Sequence, residues 1–146
     1  MRKIQVIGIC CLILAGCDTR AVDSSRAVQV SPENVYAFSR PATRDDARIT
    51  FVQDKGAMSC FGAGMQVFMD NRLAAETSSG EKVTLYHPPG PVQFSIKNNA
   101  MCAGGDLVGM ILDLRPGYSY QLRGYRGTWD KPEVMLGTPP PFKYIK

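Results

Sequence analysis

The sequence predicts an all-β domain: a single antiparallel β-sandwich of about seven strands behind a flexible polar N-terminal tether. Three observations predict it. From Ala47 onward, apolar residues recur at every second position through short segments. Turn-forming pairs separate those segments at intervals of about ten residues, and no stretch carries an amphipathic helical period. Many short alternating segments with punctuating glycines and prolines belong to sandwiches or barrels.

Each strand follows from its own alternation. "ARITFVQ" puts Ala47, Ile49 and Phe51 on one face against Arg48 and Thr50. "MQVFM" offers Met65, Val67 and Met69, and Asp70-Asn71 then makes a two-residue hairpin turn into "RLAAE". "EKVTLYH" sets Val83 and Leu85 against Lys82 and Thr84, and "VQFSIK" sets Val92, Phe94 and Ile96 against Gln93, Ser95 and Lys97. "LVGMILDL" is apolar on both faces, the pattern of a central strand. "YSYQLRGY" alternates Tyr118, Tyr120 and Leu122 with Ser119, Gln121 and Arg123, and "EVML" is short enough for a last strand. Ser79-Gly80, Pro88-Pro89-Gly90, Asn98-Asn99, Gly104-Gly105 and Pro116-Gly117 supply the turns. The sandwich therefore covers 47–136. The tail 137–146 holds three consecutive prolines and is expected to run extended over the surface.

The N-terminus fixes the compartment. Arg2 and Lys3 precede an apolar run, Ile4 to Leu14, which is shorter than the roughly 20 residues that span a bilayer. The run ends in Leu14-Ala15-Gly16-Cys17, which resembles the lipobox of bacterial lipoproteins. That resemblance implies removal of residues 1–16, a diacylglycerol on Cys17, a second acylation of its amine and a place in the bacterial envelope facing the periplasm. More than one acyl chain is what durable anchoring needs. Asp18 resembles the inner-membrane retention signal of enteric lipoproteins and leaves the choice of membrane open. Residues 17–46 are polar and irregular, and as a 29-residue coil after Cys17 they would reach about 30 Å. Within them "SPENVYAF" offers one helical turn, with Ser31 as N-cap and Pro32 first, or a short arm on the domain.

Charge excludes one class of partner. Two of the 17 basic residues leave with the leader, so 15 face 13 acidic ones, a net +2. Nothing in that balance suggests nucleic-acid binding, which needs clustered Lys and Arg.

Several elements in order also resemble a group of short bacterial envelope lipoproteins of uncharacterised function. They are "RITFVQDKG", "VFMDNRLAA", "SGEKVTLYHPPGPVQFSI", "MCAGG" and "LRPGYSYQLRGY". The resemblance covers about Ala47 to Tyr125 and implies an anchored, small β-sandwich, Ig-like or transthyretin-like, without implying a reaction. The chain departs from the group in "MDNR", where Asn71 replaces a hairpin glycine and must itself adopt the left-handed conformation.

Chemistry-bearing residues are sparse. Once Cys10 and Cys11 depart with the leader and Cys17 is lipidated, Cys60 and Cys102 remain, 42 residues apart. In an oxidising compartment such a pair is expected to form a disulfide. The alternative is a soft-metal site for Cu(I), with Met58, Met65 or Met101 and His87 joining the two thiolates. His87, the single histidine, ends a strand beside a Pro-Pro-Gly turn, and no nucleophile motif accompanies it. Asp45-Asp46 read as a solvated charge pair, and the glycines of "GAGM" and "CAGGD" as turn residues. Trp129, beside Tyr125 and Arg126, has the composition of an interaction hot spot. The expectation is therefore a lipid-anchored, non-enzymatic binding or scaffold module with no cofactor. It would attach to the membrane through Cys17 and to a protein partner in the envelope.

Overall fold

The computed structural model describes residues 19–55, 64–99, 105–127, 131–137 and 141–144. Among the described residues ten strands form two sheets: β1 (Val28–Gln29), β2 (Ala47–Gln53), β3 (Met65–Met69), β4 (Arg72–Thr77), β5 (Glu81–His87), β6 (Gly90–Asn98), β7 (Val108–Leu114), β8 (Tyr118–Arg126), β9 (Pro132–Leu136) and β10 (Phe142–Lys143). One sheet has the order β1-β5-β2-β8-β10, with β9 also on β8; the other has the order β4-β3-β6-β7. The protein is thus an all-β sandwich.

The alternation read from the sequence sets the core. Ile49, Phe51, Val83, Leu85 and Leu122 from the first sheet meet Met65, Val67, Met69, Val92, Phe94 and Ile96 from the second, all buried. The rings of Phe51 and Phe94 touch across the gap with centroids 5.7 Å apart, tilted by 41°, an arrangement aromatic pairs favour. Gly124 faces this same core. A Cβ there would lie 2.4 Å from the Phe51 ring, so a glycine in β8 is what lets Phe51 lie flat against the strand.

Three features depart from the sequence expectations. The first sheet is mixed: β2 pairs with β8 in parallel, Ile49 opposite Tyr120, and β1 pairs with β5 in parallel. Strand β7 lies at an edge of the second sheet instead of its centre. Its two-faced apolar look comes from one residue, Ile111, which points outward between exposed Gly109 and Asp113. Residues 19–46 are not a free coil. They wrap one flank of the sandwich, and the chain from Phe142 to Tyr144 packs along the other side of β8.

That wrapping covers one flank. Ser24 sits over the first sheet, its carbonyl accepting Lys82 Nζ at 2.7 Å and its hydroxyl oxygen accepting Gln121 Nε2 at 3.1 Å. Val30 is buried. The helical turn is a short 3₁₀ turn, Pro32–Asn34, entered from Ser31, whose side chain makes no cap hydrogen bond. Beyond it Tyr36 and Ala37 both donate backbone N–H groups to the carbonyl of Ala74, at 2.8 and 3.2 Å. That carbonyl is freed by a bulge in the β3–β4 hairpin, where the register shifts between Val67 and Phe68. The arm thus covers the edge of β4 as well as that of β5. The hairpin turn itself has Asp70 at φ 48° and Asn71 at φ 61°, the positive pair of a type I′ turn.

Asp46 corrects a further expectation. It is buried, not solvated, and its carboxylate accepts the Ala42 N–H and the Thr43 hydroxyl, both at 2.7 Å. The tail locks the same corner: Tyr144 donates its hydroxyl to the Asp46 carbonyl at 2.6 Å and lies under the Arg48 guanidinium, 4.8 Å from the ring centre.

Candidate functional site

Register assigns each end of the sandwich its residues. β2 and β8 run in parallel, so Lys55 and Arg126 emerge at one end, with the Ser79-Gly80 turn and the start of β9. Met65, Thr77 and Asn98 pair at that same end of the second sheet. Ala47, His87, Asp70 and Gly117 mark the opposite end.

At the first end the amino-terminal arm begins. The Thr19 hydroxyl donates to the Arg126 carbonyl at 3.1 Å, and Arg20 and Lys55 exchange backbone hydrogen bonds at 2.8 and 3.1 Å. Asp54 takes the Val22 N–H on Oδ1 at 2.9 Å and pairs through Oδ2 with Arg123 Nη2. Its side chain is only 1% exposed, and a buried carboxylate persists where it is both paired and hydrogen-bonded, as here. Gly127 donates to the Lys131 carbonyl at 2.9 Å. Four cationic residues, Arg20, Lys55, Arg126 and Lys131, therefore gather around the arm's first residues.

Of the residues expected to form an interaction hot spot, Tyr125 and Arg126 are described. Tyr125 Oη donates to Glu133 Oε2 at 2.6 Å, which raises the phenol's pKa above its ordinary value, with burial adding to the shift. Arg126 offers its carbonyl to Thr19. Trp129 lies outside the described residues, as do Cys17, Cys60 and Cys102. The chain segments that carry Cys60 and Cys102 leave from neighbouring points. Met65 pairs with Asn98, and Asn99 donates to the Gly64 carbonyl at 3.0 Å.

His87 stands at the other end. Its Nε2 faces Asp70 Oδ2 at 3.0 Å and its Nδ1 faces the Pro88 carbonyl at 2.9 Å. Both partners are acceptors, so only the doubly protonated ring donates to both. Asp70 Oδ1 also accepts the Gln93 N–H at 3.0 Å. The pair thus ties the hairpin of one sheet to the end of a strand in the other. Neither ring nitrogen addresses a hydroxyl or a thiol, and Phe38, at φ 60°, covers the ring with centroids 5.6 Å apart.

Of the alternative metal site only Met65 and His87 are described; Cys60, Cys102, Met58 and Met101 lie outside the described residues. Met65 is buried in the core at one end of β3, while His87 meets Asp70 just past the other end, about 15 Å away at strand rise. Among the described residues no group of three or more His, Cys, Asp or Glu side chains is placed to hold a metal ion. Among the same residues no helix is long and apolar enough to cross a membrane.

Sequence reasoning missed the flank opposite the arm. There β7 adjoins β9, and no described strand pairs with the outer edge of β7. Seven large hydrophobic residues are exposed among the described residues; Leu107 precedes β7 and Ile111 lies on it, Met135 and Leu136 lie on β9, and Phe142 lies on β10. Ile111 is 77% exposed. The signal was present as Ile111 between Gly109 and Asp113, a lone apolar side chain on an outward face. It became readable only when the strand order placed β7 at an edge.

No protein-family model matches the chain, and no curated protein matches it.

Proposed function

We propose that this protein is a lipid-anchored module of the bacterial envelope that binds another envelope protein and catalyses no reaction. The observation that carries the reading is the asymmetry of the two flanks. One is covered by residues 19–46, and the other leaves the β7 edge unpaired among the described residues, with Ile111 exposed on it, Leu107 just before it and exposed Met135 and Leu136 on β9. Natural sheets blunt an exposed edge with lysine, proline or a covering segment. β7 has no lysine or proline along its seven residues. Exposed apolar side chains at an open sheet edge suit a protein-binding surface. An extended apolar segment of the partner would add to β7 through main-chain hydrogen bonds and set side chains against Ile111.

Anchoring rests on the leader and the Leu-Ala-Gly-Cys17 box, and the disulfide Cys60–Cys102 belongs to the same proposal. The hydrogen bond from Asn99 to Gly64 supports the bridge, because it brings the chain three residues before Cys102 beside the chain four residues after Cys60. The Pro-rich tail is less suited to recruitment than its sequence suggests, since Tyr144 is fastened to Asp46 and Gly117.

A photo-crosslinking amino acid at Ile111 or Met135, with Arg40 as the exposed control, tests the reading in intact cells. A product of one discrete mass is expected from positions 111 and 135 and not from 40. The product from 135 should fall at least severalfold with Ile111→Lys. Absence of product from both flank positions, or the same product from position 40, overturns it.

A further inference from the structure

We infer that the strand received by β7 is the β7 of a second copy of this chain, running antiparallel to it about a two-fold axis at Ile111. The inference rests on the open-edge reading above and names its partner.

The backbone fixes which groups face outward. In β6, Gln93 spends both main-chain groups on Asp70: its N–H donates to Asp70 Oδ1 at 3.0 Å, and its carbonyl accepts the Asp70 N–H at 2.9 Å. Asp70 follows β3, on the far side of β6 from β7. Main-chain groups alternate in direction along an antiparallel strand, so Gln93 and the residue opposite it, Ile111, form a non-hydrogen-bonded pair. The N–H and carbonyl of Ile111 therefore point away from β6, as do those of Gly109 and Asp113. Tyr120 meets the same row, its hydroxyl donating to the Asp113 carbonyl at 3.0 Å and accepting the Arg115 N–H at 2.9 Å. That hydroxyl caps the row at Asp113. Among the described residues nothing bonds the outward groups of Gly109 and Ile111.

The open row is complementary to itself. Two copies paired at Ile111 exchange the N–H and carbonyl of that residue, and Gly109 of each stands opposite Asp113 of the other. The exposed Ile111 side chains then cover one another. Asp113 carries the one charge of the strand. In this register no acid opposes an acid, because the two Asp113 residues lie four steps apart, about 14 Å, which exceeds a Debye length. A pairing centred on Asp113 would set carboxylate against carboxylate, which destabilises a sheet. Gly109 suits its place: a Cβ there would lie 2.4 Å from Ser95 Oγ, so the position offers bare backbone to the second copy's Asp113. Closed two-fold pairing of one surface with itself is the commonest form of protein association.

The pairing joins the two four-stranded sheets into one. Its axis stands normal to that sheet and leaves the other sheet of both copies on one side. Thr19 is fastened to that other sheet, at the Arg126 carbonyl of β8. Acyl chains on both Cys17 residues, as proposed above, therefore enter one bilayer.

The test uses the full chain in cells. Ile111 is 77% exposed and Asp113 is exposed, so a cysteine at either position spares the core. Membranes carrying Ile111→Cys or Asp113→Cys are treated with a short bifunctional thiol reagent, and the unsubstituted chain sets the background. In the paired copies the two positions 111 lie about 5.5 Å apart and the two positions 113 about 14 Å apart. A product of twice the chain mass is expected from Ile111→Cys, at least fivefold above that from Asp113→Cys. Equal yields from the two, or none above background, overturn the pairing. The photo-crosslinker at Ile111 separates this inference from the reading it rests on. A discrete product of any mass other than twice the chain's overturns the second copy and leaves a different partner at β7, whereas no product at all overturns both.

Discussion

Asp54 holds Val22. The buried carboxylate accepts the Val22 N–H at 2.9 Å and, through its other oxygen, the Arg123 guanidinium. One side chain thus joins the amino-terminal arm to β8. Removing one partner of a buried pair strands the other and typically costs about 3–5 kcal/mol. Arg123 is 31% exposed and can find water, so Asp54→Ala is expected near the lower end. Equilibrium denaturant unfolding measures the loss. Limited proteolysis should cut the variant within residues 19–30 faster than the wild type.

Gly124 is the tightest point of the core. An added Cβ would lie 2.4 Å from the Phe51 ring and 3.1 Å from Met65 Sδ. Overpacking of this kind costs about 1–3 kcal/mol. Gly124→Ala should lower the denaturant midpoint accordingly, and Gly124→Val further. Phe51→Leu combined with Gly124→Ala should recover part of the loss, because the two positions touch and their effects do not add.

Tyr120 anchors the crossing from β7 to β8. Its hydroxyl donates to the Asp113 carbonyl at 3.0 Å and accepts the Arg115 N–H at 2.9 Å, while its ring is buried. A tyrosine near a strand start that bonds upstream backbone is a recurring brace of Greek-key sandwiches. Tyr120→Phe leaves both backbone groups unmet, and a loss of about 1–3 kcal/mol is expected from thermal or denaturant unfolding.

Protein purified without reductant is expected to carry no free thiol at Cys60 or Cys102. Alkylation followed by mass spectrometry checks this. For a 42-residue loop, replacing both by serine should cost at most about 4 kcal/mol on the chain-entropy account.

Two phenols are held protonated by a carboxylate partner, and burial does the same for Tyr144. Hydrogen bonding to Glu133 raises the pKa of Tyr125, and hydrogen bonding to Glu76 raises that of Tyr36. The folded pKa lies above the unfolded value, near 10. The stabilisation is therefore fully present below that value and is lost as pH rises through the folded pKa. An absorbance titration should show Tyr125 ionising after the bulk of the tyrosines. Glu133→Gln should bring it back toward them.

The strands were legible because each carries its own evidence of burial. Ile49 and Phe51, Met65 and Val67, and Phe94 and Ile96 alternate with polar residues and are all buried. The hairpin turn was legible because few residues besides Asp and Asn take positive φ. Pairing between distant strands was not, since no local period distinguishes a partner at Tyr120 from any other for Ile49. The arm was read as a tether because its apolar anchors, Val30, Val35 and Phe38, follow no strand or helix period, and its other ties are single polar ones: Ser24 with Lys82, Val22 with Asp54, Tyr36 with Ala74. Such contacts leave no apolar repeat in the sequence. For the site, His87 at a strand end beside a turn was foreseen, but its Asp70 partner in the other sheet was not.

The parallel pairing of β2 with β8 also sets the order of events in folding. Ile49 finds Tyr120, and Arg48 Nε reaches the Ser119 hydroxyl across 71 residues of chain. Closing so long a loop costs entropy before any contact repays it, and topologies built this way fold slowly. A chain emerging N-terminus first therefore cannot complete its larger sheet until nearly all of it has appeared. The hairpin β3–β4 and the neighbouring β6 can form early, but the middle of the other sheet waits for residue 126. On the proposed export through a membrane pore, that delay would keep the chain extended for the length of its passage.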